Sequence, residues 1–179
     1  PTLRDNKSRE ISRLNGIYQR ILNQAGVTIF EGHGQVLGGG KVSVGENVLT
    51  ARHILVAVGG KPFVPDLPGR EHVRISDDLF YLDTLPKRVA VVGGGYIATE
   101  FAGILHGLGC QVTQVYRGDL FLRGFDQDIR EFIAEQMKEQ SVTLKFNADV
   151  ASIEAINGEK HVTYQGGEQA VFDLSLIHI

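Results

Sequence analysis

A chain of 179 residues with 42% hydrophobic content and a net charge of −3 is long enough for one well-packed domain or two small ones. Its weak acidity and scattered lysines and arginines argue against an extended nucleic-acid surface, and no apolar run approaches the ~20 residues of a membrane span. The opening PTLRDNKSRE has no apolar stretch of a signal peptide, so a cytoplasmic setting is the default expectation; the single cysteine, Cys110, excludes an intrachain disulfide and a cysteine-cluster metal site.

From residue 3 to about 24, Ile11, Leu14, Tyr18, Ile21 and Leu22 recur at helical spacing, which predicts a helix with one apolar stripe. Short β-branched runs separated by Gly and Asn follow, as in strands joined by tight turns. The last of them, residues 54–58, reads as a buried strand ending at Gly59 and Gly60. Residues 61–86 hold all but one of the five prolines and read as an ordered connection, with a domain boundary near Leu85.

Beyond that boundary the pattern predicts a strand at 89–92, a helix at 95–108, a strand at 112–115, a helix at about 126–139 and a strand at 142–146. Ile97, Phe101, Ile104, Leu105 and Leu108 mark the apolar face of the first helix; Ile129, Phe132, Ile133 and Met137 mark that of the second. Alternating β and α elements of this length imply a parallel sheet with right-handed crossovers. Two β-like stretches, 151–156 and 160–164, flank NGEK, a good hairpin turn.

The first strand of this series runs into VVGGGYIATE. In a GxGxxG turn the first glycine makes the bend, the second lets a pyrophosphate approach the backbone, and the third position lets the helix pack on the strand. Gly93, Gly95 and Ala98 fill those places, and the helix N-terminus beyond them favours an anion. Sites for NAD carry an acid at the end of the second strand, but no carboxylate occurs from Gln111 through Arg117. Arg117 just past that strand and Arg123 before the next helix are placed to clamp a 2′-phosphate, so the site is expected to take NADPH.

With HILVAVGGKPFVPDLPG, VAVVGGGYIATEFAGILHGLG and YRGDLFLRGFD in view, residues 8–173 resemble the pyridine nucleotide–disulfide oxidoreductases, on the glutathione reductase branch. The likeness implies an α/β, Rossmann-like FAD/NAD(P)-binding fold with a parallel sheet, helices and an added β-meander. Residues 1–85 correspond to part of an FAD-binding domain and its connection, and 86–179 to the NADPH-binding domain. Gly34 corresponds to a residue near the FAD adenine and Gly59 to one beside the flavin, although Val58 stands where the family has a threonine. Tyr96 corresponds to the tyrosine covering the nicotinamide pocket, Ile97 belongs with the cofactor-binding residues, and Glu100 corresponds to an acid near the nicotinamide amide.

By the same resemblance the parent is an NADPH-dependent flavoprotein reducing glutathione disulfide and dimerising through a domain outside this stretch, and the chain alone is expected to be inactive. The redox CxxxxC motif, the first FAD glycine motif and the interface domain of the family are not in this sequence. No catalytic residue and no metal ligand is assigned, and Cys110 reads as a small buried residue rather than a nucleophile. A trypanothione reductase or an NADP-binding module without catalysis fits the same residues. The terminal LSLIHI departs from the family but can occupy a strand position.

Overall fold

The computed structural model describes residues 2–177, which form two compact units that divide between Gly60 and Lys61. Among the described residues no helix is long and apolar enough to cross a membrane.

The first unit opens with helix α1, Thr2–Gln24, as the spacing predicts. Its stripe is uncovered: Ile11, Tyr18, Ile21 and Leu22 are exposed and no residue of the helix is fully buried. Strands β1 (Gly34–Gly38), β2 (Lys41–Val44) and β3 (Asn47–Thr50) form an antiparallel meander. Residues 54–58 correct the expectation of a buried strand, since they take no regular structure and Leu55 and Val58 stand 89% and 87% exposed. A fully buried strand needs hydrogen-bonded neighbours and a cover on both faces. No described strand of this unit pairs with the run.

The second unit begins with residues 61–85, whose Leu67, Val73, Leu79 and Leu82 pack into its cores. The connection read on the N-terminal side of the expected boundary therefore packs on the unit that follows it. A 3-10 turn at Arg70–His72 and a short helix α2, Ser76–Leu79, shape this segment.

Four parallel strands then build a sheet in the order β10-β4-β5-β6: β4 is Arg88–Val92, β5 Gln111–Val115, β6 Thr143–Lys145 and β10 Leu174–Ile177. Helix α3 (Tyr96–Gly107) links β4 to β5, and α4 (Gln127–Glu139) precedes β6. The Asp126 side chain caps α4 by accepting from the N–H groups of Asp128 and Ile129. Strands β7 (Val150–Ile156), β8 (Glu159–Tyr164) and β9 (Gln169–Phe172) make the antiparallel meander. The NGEK turn holds Asn157 and Gly158 at φ 51° and 87°, the left-handed pair that a tight hairpin requires. Leu174–Ile177 of the terminal LSLIHI occupies the sheet edge beside β4, while His178 and Ile179 lie outside the described residues.

Alternation along β4 explains how one sheet serves two cores. Val89 and Val91 face α3 with Val112, Leu174 and Leu176; Ala90 and Val92 face the meander with Ile153, Val162, Tyr164 and Phe172. The inward face of α3 is Ala98, Ala102 and Leu105, whereas Ile104 and Leu108 remain about half exposed. The expected face holds at Leu105 and at Phe101, which packs against the helix-side core, and is corrected at Ile104 and Leu108, because a helix lying close on a sheet presents the small Ala98 and Ala102 to it. On α4 Ala134 is buried and Ile133 and Met137 pack beside it as expected, whereas Ile129 and Phe132 are exposed. Cys110 is 3% exposed within the helix-side core, and burial pushes its thiol pKa up, as suits an inert packing residue.

A surface ion cluster ties the meander to the sheet. Arg88 donates through Nη2 to Asp173 at 2.6 Å and to Glu159, and Asp173 Oδ2 accepts the backbone N–H groups of Lys87 and Arg88 at 3.0 and 2.9 Å. The Arg88 side chain, helped by those N–H groups, holds the Asp173 carboxyl below its ordinary range. A carboxyl with a lowered folded pKa stabilises the fold above its unfolded value and loses that contribution as pH falls through the folded one. Wild-type protein is thus expected to lose urea resistance below about pH 4, and Asp173→Asn to be weaker at pH 7 with a shallower acid loss. Urea midpoints at pH 7 and pH 3 check it; equal acid losses in both proteins would remove Asp173 from the account.

Candidate nucleotide site

The site is built where β4 stops and α3 starts. Strand β4 is buried from Val89 to Val92, and the chain turns at Gly93, whose N–H donates to the Val115 carbonyl at 2.9 Å. Gly94 is fixed by a neighbour: a Cβ there would lie 2.7 Å from Tyr116 Cγ and nearer still to other ring atoms. A Cβ at Gly118 would meet the same ring at 2.6 Å, so the Tyr116 ring fits between two glycines. Gly95 is the opposite case, because a Cβ there meets nothing within 4 Å. It is also the N-cap of α3 and provides no side-chain cap, so the first-turn N–H groups of the helix lack side-chain acceptors.

In front of this turn lies a cleft of about 730 Å³. Gly93, Gly95, Tyr96, Ile97, Arg117 and Arg123, all singled out from sequence, line it together. Tyr96 is 57% exposed at the first position of α3. Arg117 and Arg123 are exposed, and neither guanidinium has an ion-pair partner among the described residues. Glu100 is exposed one helical turn beyond Tyr96 and is not among the cleft-lining residues. Gly34 opens β1 of the first unit, and Gly59 holds φ 70°, a left-handed conformation suited to glycine.

Two carboxylates that sequence reasoning did not count also line the cleft, Asp119 and Asp149. Each accepts a local backbone N–H at 2.9 Å, Asp119 from Leu120 and Asp149 from Val150. The lining therefore carries two cations and two anions rather than a purely positive surface. Asp119 was visible two residues past Arg117, whereas nothing local marks Asp149, which arrives from the turn before β7. Among the described residues no group of three His, Cys, Asp or Glu side chains is placed to hold a metal ion.

The fit to a dinucleotide phosphate can be judged on these residues. A pyrophosphate needs a backbone without side chains, free N–H donors and a positive helix end, and the open Gly95 position before the uncapped α3 provides all three. A further phosphate on the ribose needs unpaired cations at the end of the second strand, where Arg117 stands.

Comparison with known proteins gives a consistent set of likenesses. The family model described as pyridine nucleotide-disulphide oxidoreductase matches residues 2–179. Glutathione reductase from Burkholderia cepacia is 41% identical over 167 residues, covering 93% of this chain and 37% of the relative. Chloroplastic/mitochondrial glutathione reductase from Pisum sativum is 48% identical over 122 residues, covering 68% of this chain and 22% of the relative. Among solved structures, the Cu(II) complex of a mutant of the HOCl-induced flavoprotein disulfide reductase RclA from Escherichia coli matches with a TM-score of 0.85 at 27% identity. That match covers 97% of this chain and 41% of that one. The chain thus spans a little over a third of the length of the Burkholderia relative.

Proposed function

Because this chain belongs to the pyridine nucleotide-disulphide oxidoreductase family, we propose that it carries the NADPH site of an FAD-containing glutathione-disulfide reductase. The observation that carries the reading is the convergence of an open glycine at an uncapped helix N-terminus with two unpaired guanidinium groups on one cleft. Residues 86–179 are the NADPH-binding part, and residues 1–85 belong to the FAD-binding part with its connection.

NADPH bound at this cleft supplies a hydride, the two-electron input that such a reductase uses, through its flavin, to split a disulfide into two thiols. The chain's own residues orient and select. Gly93 and Gly95 let the pyrophosphate reach the backbone, and the first-turn N–H groups of α3 neutralise it. Arg117 and Arg123 hold the 2′-phosphate with charge-assisted hydrogen bonds. Tyr96 and Ile97, at the head of α3, bound the nicotinamide end of the cleft and limit water there, with Glu100 behind them. Gly34 and Gly59 are assigned to FAD on family likeness alone.

Titration calorimetry of NADPH and NADH tests the reading. Wild-type protein is expected to favour NADPH, and Arg117→Ala or Arg123→Ala to weaken it by roughly tenfold or more, from about 1.5 kcal/mol or more per charge-assisted contact. NADH should be nearly unaffected, and the NADPH loss should shrink at high salt because both arginines are exposed. Equal losses for the two nucleotides would return the arginines to ordinary surface residues.

A further inference from the structure

Strand β5 carries one polar side chain with no exposure at all, Gln114, between the half-buried Thr113 and the buried Val115. A buried amide is costly unless it is hydrogen-bonded. Its Nε2 donates to the Gly93 carbonyl at 3.1 Å and to Thr99 Oγ1 at 3.1 Å. The Thr99 hydroxyl in turn donates to the Gly95 carbonyl at 3.1 Å. One side chain therefore holds the Gly93 carbonyl directly and, through the Thr99 hydroxyl, supports the Gly95 carbonyl, which also accepts the Thr99 backbone N–H at 3.1 Å. We infer that Gln114 is a positioning residue for dinucleotide binding, holding the glycine turn in its phosphate-accepting form from beneath.

The geometry says how this reaches the ligand. In a trans peptide the N–H of the next residue points opposite the carbonyl, and the described chain has no cis bonds. Restraining the Gly93 and Gly95 carbonyls therefore also sets the N–H directions of Gly94 and Tyr96, and both residues line the cleft. The amide orientation is determined as well. Its other atom, Oε1, is buried without a partner, and turning the amide over would place that oxygen against the Gly93 carbonyl. Both hydrogen bonds that the Gln114 amide donates lead to the glycine turn, one to the Gly93 carbonyl and one through the Thr99 hydroxyl, so the turn is what this side chain orients.

This inference rests on the proposed nucleotide site, and the experiment separates the two. The 179-residue chain is titrated with NADPH and NADH as wild type, Gln114→Met and Thr99→Val, with a thermal melt of each. Methionine keeps the volume and removes the donors together with the orphan oxygen. The expected result is a loss of roughly fivefold to tenfold for both nucleotides in Gln114→Met, a smaller shared loss in Thr99→Val, and a melting temperature in Gln114→Met close to that of wild type, because removing the orphan oxygen offsets leaving the Gly93 carbonyl without its donor. Wild-type protein binding neither nucleotide overturns the functional reading and this inference with it. Wild-type binding with unchanged affinity in Gln114→Met overturns the inference alone. So does a loss confined to NADPH, or one that merely follows a fall in melting temperature, which would mark Gln114 as structural.

Discussion

Gly69→Ala is expected to cost the second unit at least ~3 kcal/mol, and no other single methyl group added to a described glycine meets backbone so closely. Gly69 holds φ 86° and ψ 13°, a left-handed conformation that costs an L-residue ~1–2 kcal/mol. The larger problem is space, because a Cβ there would overlap the Ile153 carbonyl oxygen and lie 2.6 Å from its carbon. Neither atom can step aside, since Ile153 is buried in β7 and its N–H donates to the Pro68 carbonyl at 2.9 Å. Relief requires lifting 68–70 off the meander, which breaks that hydrogen bond and loosens Leu67 and Val73 from the meander-side core. A melting temperature lower by roughly 10 °C is expected by circular dichroism. Gly16→Ala is the control: Gly16 lies within α1, nothing lies within 4 Å of its added Cβ, and the change should be neutral or stabilising by up to about 1 kcal/mol. Similar melting temperatures for wild type and Gly69→Ala would show that the 68–70 segment yields freely.

What could be read from the residues follows from how local each signal is. Strands β4 and β5 and helices α3 and α4 were legible because their periodicity and their glycine punctuation lie within the elements themselves. The site's main lining was legible for the same reason: Gly93, Gly95, Tyr96 and Ile97 are neighbours in sequence, and Arg117 and Arg123 follow one strand. The buried face of α3 was legible only at Leu105 and Phe101, because hydrophobicity ranks Ile104 and Leu108 above Ala98 and Ala102, while close approach to the sheet rewards small side chains. Residues 54–58 misled because an apolar run shows that burial is favourable but not which neighbours supply it. Asp149 reaches the cleft only through the crossover past β6, a long-range event with no local trace. Gln114 did leave a trace, a glutamine in the core-facing register of QVTQV, since a polar residue at such a position needs a partner.

Gly95→Val is expected to abolish binding of both nucleotides while leaving the fold nearly intact, which makes it the strictest test of the cleft. At φ −82° and ψ 169° the backbone of Gly95 is in the extended region, which valine adopts without strain. No atom lies within 4 Å of the added Cβ, so the fold has no packing reason to demand glycine here. The only expected structural cost is a weaker N-cap, about 1 kcal/mol or less. The branched side chain instead enters the open space at the helix N-terminus and holds a pyrophosphate away from the first-turn N–H groups. Losing two charge-assisted hydrogen bonds at about 1.5 kcal/mol or more each weakens binding by roughly 100-fold or more. That loss should be equal for NADPH and NADH, because both carry the pyrophosphate, in contrast to the selective loss from Arg117→Ala. Gly94→Ala should differ again, losing stability together with binding, since its methyl group meets the Tyr116 ring that Gly118 confines from the other side. Calorimetric titration beside thermal melts distinguishes the three patterns. Near-normal affinity for either nucleotide in a well-folded Gly95→Val protein would place the phosphates elsewhere and end the reading of this turn as their cradle.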